Sequence, residues 1–155
     1  MLQLEDESLE TAIQLVSKIA SFTKTVNANA KEYNYENDYI DVEYIRTDNL
    51  LELQIKVLDA LNPVRSGLRE KDTNRLLTAA GDELHNLKKY GYRSVGNLFH
   101  PHLTFTRFVD PQDKVFESMP LKESFSGRYE KLGIFELGEN GTCIKEVRTW
   151  DITST

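Results

Sequence analysis

The stretch LFHPHLTFTRF, from Leu98 to Phe108, concentrates side chains that can move protons and donate hydrogen bonds. Side chains of a β-strand alternate between two faces, so a strand here sets Leu98, His100, His102, Thr104, Thr106 and Phe108 on one face. Phe99, Pro101, Leu103, Phe105 and Arg107 share the other, which is mostly apolar and suits a core; Arg107 would need a β-bulge to reach the histidine face. His102 and Thr104 emerge roughly 6 to 7 Å apart along such a strand. At that spacing an imidazole can transfer a proton at one side of a phosphoryl group while a hydroxyl donates to a non-bridging oxygen. No cysteine, lysine or carboxylate adjacent in sequence marks an activated nucleophile, so a phosphodiester fits better than an acyl substrate.

Blander readings of the same residues stand beside this one. An ordinary strand tolerates histidine and threonine on its solvent face, and His100 can be a structural or rim residue. His100 and His102, two residues apart, also resemble a strand-borne metal dyad, which needs further ligands such as Asp41, Glu43 or Asp110. His100, Thr106 and, in KKYGYRS, Tyr92 and Arg93 are candidate substrate-binding residues, the tyrosine by stacking and the arginine by charge. Loops of that composition are also common solvated surface. Trp150 reads as core or sheet-edge packing, and Lys88 and Lys89 are too few to make a basic patch.

These residues need elements to position them. Leu9, Ala12, Ile13, Val16, Ile19 and Ala20 recur at helical spacing and predict a helix from about Asp6 to Ala20, with Asp6 and Glu7 at its positive end. FTKTVNANAKEY (22–33) has weak strand alternation and ENDYIDVEYIR (36–46) a clear one, so the two segments are expected to pair as a hairpin. Asn49 and Glu52 are spaced like a capping box at the head of a second helix, which Asn62-Pro63 ends. TNRLLTAAGDELHNLKKYG (73–91) reads as a helix with Gly91 as its C-cap. After the histidine strand and a loop or short helix at VDPQDKVFESMP (109–120), RYEKLGIFELGENGTCIKEVRTWDI (128–152) reads as a hairpin turning at Asn140-Gly141. The expected fold is therefore α+β, with helices on one face of a mainly antiparallel sheet, in one domain over 1–155.

With this frame, FHPHLTFTRF resembles the second signature of the 2H phosphoesterase superfamily, which includes RNA 2',3'-cyclic phosphodiesterases, also called 2'-5' RNA ligases. The signature is His-x-Thr/Ser-x with an aromatic-x-Pro lead-in; His102, Leu103, Thr104 and Phe105 fit the motif, and Phe99 and Pro101 fit the lead-in. EKLGIFELGENGTCIKEV resembles the family's closing hairpin. The resemblance implies His102 as general acid or base, Thr104 as orienter of the phosphoryl oxygens, no metal or other cofactor, and a 2',3'-cyclic or 2'-5'-linked nucleotide, or an RNA-end phosphodiester, as substrate.

One departure is large. The family carries two such motifs whose histidines face each other, whereas the third histidine here, His85 in ELHNLKK, has no following threonine or serine. The chain reads as beginning just after the place of the first motif, as if the first strand–helix–strand unit were missing. In-line cleavage needs one proton removed and another delivered on opposite sides of phosphorus. Two chains could supply both histidines as a homodimer, which would also cover the sheet edge such a loss exposes. His100 could stand in; catalysis could be lost, leaving a binding or assembly module; or the chain could be a fragment of a longer reading frame.

Composition narrows the partners. With 19 basic against 25 acidic residues the formal charge is −6, which excludes a broad, charge-driven grip on nucleic-acid backbone. A single cysteine, Cys143, precludes an internal disulfide. An acidic N-terminus and the lack of a long apolar run predict a cytoplasmic protein without a membrane partner.

Overall fold

A computed structural model describes residues 3–36, 38–108, 117, 119–138 and 142–152, without the side chain of Thr106. The turn at Asn140-Gly141, Asp110, Asn37 and most of the 109–120 connector lie outside the described residues. The fold is α+β with antiparallel sheets.

Helix α1 (Asp6–Phe22) buries Ala12, Val16 and Ala20, four residues apart along one face. Its end comes where the Thr23 hydroxyl donates back to the Ile19 carbonyl, 2.7 Å away. The expected 22–33 strand is two strands with different partners. β1 (Val26–Ala28) buries Val26 and Ala28, while β2 (Ala30–Glu36) forms the expected hairpin with β3 (Tyr39–Tyr44). β3 carries the cleanest alternation in the chain, with Ile40, Val42 and Tyr44 buried, because it is the central strand of a three-stranded sheet completed by β4 (His102–Arg107).

Helix α2 (Asp48–Leu61) is capped by Thr47, whose hydroxyl accepts the Leu50 N–H at 3.3 Å. The predicted box at Asn49 and Glu52 is thus two residues too late: Thr47, in extended backbone, supplies the oxygen. The single helix expected over 73–91 is broken into α3 (Glu70–Arg75) and α4 (Gly81–Tyr90). Gly81 sits at φ +54°, a conformation that interrupts helical geometry. Gly91, at φ +67°, closes α4 as predicted, its N–H donating to Leu87 O at 2.9 Å.

β5 (Gly127–Tyr129) pairs with β1, so the closing hairpin expected over 128–152 is formed only by β6 (Lys131–Leu137) and β7 (Cys143–Asp151). Ala20, Val26 and Ile152 form one buried cluster, packed by Leu50, Leu53, Leu132 and Trp150. Ala28, Val42 and Tyr44 form a second, packed by Ala30, Tyr33 and Phe125. Short β1 contributes to both, so it ties the helical half to the sheet that carries the histidines.

Candidate functional site

The strand expected from Leu98 begins only at His102. Gly96–Leu98 is a 3-10 turn, and Phe99 to Pro101 are an extended lead-in. Pro101 is buried, and its carbonyl accepts the Tyr44 N–H at 2.8 Å, so the residue between the histidines is docked onto β3. A proline suits this entry position because it has no N–H to satisfy.

With Pro101 fixed, the imidazoles of His100 and His102 lie almost parallel, 12° apart, with centroids at 4.9 Å. A carbonyl only accepts, so each ring is oriented by an Nδ1–H that donates backwards. His102 Nδ1 donates to the His100 carbonyl at 2.9 Å, and His100 Nδ1 donates to the Leu98 carbonyl at 3.3 Å. A neutral imidazole held this way keeps its lone pair on Nε2, the arrangement a general base requires. Both rings are exposed at their outer edges.

The sheet register corrects the expected sharing of faces. His102 stands opposite Glu43 and Thr104 opposite Asp41, but Thr106 is opposite Ile40 and Arg107 opposite Tyr39. Phe105 is therefore an extra residue, a bulge that breaks the two-residue alternation between Thr104 and Thr106. Arg107, expected on the apolar face, instead stacks over the Tyr39 ring at 5.4 Å, on the side of Asp41 and Glu43. Phe105 turns to the core side, 4.7 Å from the Phe125 ring.

That polar face is acidic. Lys31 holds Glu43 at 3.3 Å and Glu32 at 2.8 Å. Burial pushes the Asp41 carboxyl above its ordinary value; charge on His102 and His100 works in the opposite direction, and Glu43 and Glu36 add to the rise. An anion is thus poorly received over Thr104, where Asp41 lies directly across.

A better receptacle lies along the free edge of β4. His100, Pro101, His102 and Leu103, from both faces of the strand and its lead-in, line one cavity of 390 Å³. Leu50, Leu53, Phe99, Leu132 and Ile152 make it largely apolar, and Tyr92 and Lys131 also line it. Tyr44 and Tyr129 complete it, their hydroxyls 2.7 Å apart. Burial, then the Tyr129 hydrogen bond, pushes the Tyr44 hydroxyl far above the usual tyrosine value, so it stays neutral and acts as wall. Lys131 is a mostly exposed ammonium, 3.9 Å from Asp151.

Comparison of the chain with protein-family models, with curated proteins and with solved structures gives no match.

The cavity therefore gathers His102, His100 and Tyr92 from the residues singled out in sequence. Thr104 and Arg93 are exposed and do not line it; the Arg93 carbonyl instead accepts from Asn86 Nδ2 at 2.9 Å. His85 is exposed on α4 and is not among the lining residues. No group of three His, Cys, Asp or Glu side chains able to hold a metal exists among the described residues. Lys131, Tyr44 and Tyr129 were not singled out in sequence; Tyr44 reads as plain strand alternation, Tyr129 as part of the closing hairpin, and no local pattern marks Lys131 as a neighbour of residue 102. No helix among the described residues is long and apolar enough to cross a membrane.

Proposed function

We propose that this chain is a cytoplasmic 2H phosphoesterase-like domain that binds a 2',3'-cyclic or 2'-5'-linked nucleotide at the β4 edge, with His102 as its proton-transfer group. One observation carries the reading: His102 is held by its Nδ1–H to the His100 carbonyl at 2.9 Å and is one of the residues lining a largely apolar cavity. In this scheme the nucleoside occupies the cavity beside Tyr92, and the phosphoryl group meets His102 Nε2 at the rim. Lys131 offsets the charge. His102 then removes the proton of the attacking oxygen, or returns one to the leaving oxygen, and Thr104 plays the orienting role that the resemblance implies only with a ligand that extends beyond the cavity.

One histidine supplies half of the proton transfer. Among the described lining residues the other polar groups are His100, Tyr92, Lys131 and the paired hydroxyls of Tyr44 and Tyr129. A second copy could complete the site: β4 ends its sheet, and Leu103 and Phe105 are 45% and 37% exposed on it. Strand edges and exposed apolar residues together favour self-association.

A second reading, binding without turnover, is favoured by Asp41 opposite Thr104, which disfavours a phosphate there. Incubation with 2',3'-cyclic AMP followed by product separation distinguishes the two. An active site loses about 100-fold or more in ring opening with His102→Ala, the usual contribution of a positioned acid or base. Binding of 2'-AMP with no opening supports the silent module, and unchanged turnover in His102→Ala ends the first reading.

A further inference from the structure

A second concavity, between α1 and β7, is built from different chemistry. Gln14, Ser17, Lys18 and Ser21 recur three and four residues apart and form one stripe of α1. That stripe faces Arg148, Thr149 and Trp150 of β7 across a groove of 510 Å³. The lining holds two cations, three hydroxyls and an indole, and no carboxylate, in a chain where acidic residues outnumber basic ones by 25 to 19. Neither Lys18 nor Arg148 is in an ion pair among the described residues. Trp150, half-buried, is anchored from behind by the Ala20, Val26 and Ile152 cluster, so its ring is held in place while it borders the groove.

Two unpaired cations lining a concave surface attract an anion, and the planar guanidinium fork suits a bidentate acceptor such as phosphate. An anchored indole offers a flat apolar face to a ring. We propose that the α1–β7 groove is a second binding site, for a small phosphate ester with a planar ring, the phosphate held by Lys18 and Arg148 and the ring against Trp150. It is separate from the histidine cavity and does not depend on the function proposed for it.

Trp150 is the single tryptophan of the chain, so its fluorescence reports on this site. The intact protein is titrated with 5'-AMP and, separately, with inorganic phosphate. The expected result is a saturable change in Trp150 emission with 5'-AMP, at a midpoint well below that for phosphate. Charge reversal in Lys18→Glu/Arg148→Glu should weaken it by roughly tenfold or more, as should raised salt. His102→Ala should leave the midpoint unchanged, which separates this groove from the histidine cavity, with which it shares no lining residue. Lys18 and Arg148 are exposed, so reversal spares the core, and unchanged circular dichroism verifies the fold. No saturable response, a response that survives charge reversal or follows His102, or equal midpoints for phosphate and 5'-AMP would each overturn the proposal.

Discussion

Asp72 offers a quantitative test of how the cavity wall is held. It is a buried carboxylate, 2% exposed, paired with the Arg69 guanidinium, which is 22% exposed. The same guanidinium lies 5.9 Å from the ring centroid of Tyr92, and Tyr92 lines the histidine cavity. Asp72→Ala leaves a mostly buried cation without this carboxylate. Breaking a buried pair from one side typically costs about 3 to 5 kcal/mol. Arg69 keeps some solvent and the Tyr92 face, worth about 0.5 to 1 kcal/mol, so the expected loss is near the lower end, about 2 to 3 kcal/mol. Asp72→Asn keeps an acceptor oxygen of similar shape and should lose less, about 1 to 2 kcal/mol. Replacing both partners, as Arg69→Met/Asp72→Leu, removes the mostly buried guanidinium as well and should recover part of the loss. Urea unfolding reads this as a lower midpoint at an unchanged slope. A loss under about 0.5 kcal/mol in Asp72→Ala would mean that the pair is solvated like a surface ion pair, and would refute the buried linkage from Asp72 through Arg69 to Tyr92.

Two further outcomes follow from local geometry. In Gly91→Ala the new methyl meets Arg65 Nη1 at 2.7 Å and Cζ at 3.0 Å, at a residue with φ +67°. The left-handed conformation alone costs about 1 to 2 kcal/mol for a side-chain-bearing residue, so calorimetry should find the melting temperature several degrees lower, and an unchanged value would contradict the cap geometry. Asp41, whose folded value is raised chiefly by burial, binds its proton more tightly folded than unfolded. Stability from this group is therefore full below the unfolded carboxyl value and lost as pH rises through the folded one. Asp41→Asn should be more stable than the parent at pH 7, with the gain fading as pH falls below the ordinary carboxyl range; a parent more stable at pH 7 would refute it.

Much of the frame was legible because periodicity reports burial directly. The helix at Asp6, the β3 alternation of Ile40, Val42 and Tyr44, the Gly91 cap and the closing hairpin all follow from single-element patterns. Tertiary pairing was less so. Nothing local separates β1 from β2, because Val26 and Ala28 differ from the residues after them only in pairing with β5. The helix break before Gly81 needed a positive φ that apolar spacing does not encode. At the site, the Phe105 bulge moved Arg107 to the polar side, a change of partner that strict alternation cannot foresee. His102 was recognisable from its motif. Its cavity was not, since the lining comes from β1, α2, β5 and β6, segments far apart in sequence.

The orientation of His102 is the most direct point of attack. Histidine ring ¹⁵N shifts, followed over pH with and without 2'-AMP, report the tautomer and what meets Nε2. The expected result is a neutral ring protonated on Nδ1, from its bond to the His100 carbonyl, and an Nε2 resonance of His102 that moves on ligand addition while His85 stays still. A neutral ring protonated on Nε2, or a His102 resonance indifferent to saturating 2'-AMP, would contradict it.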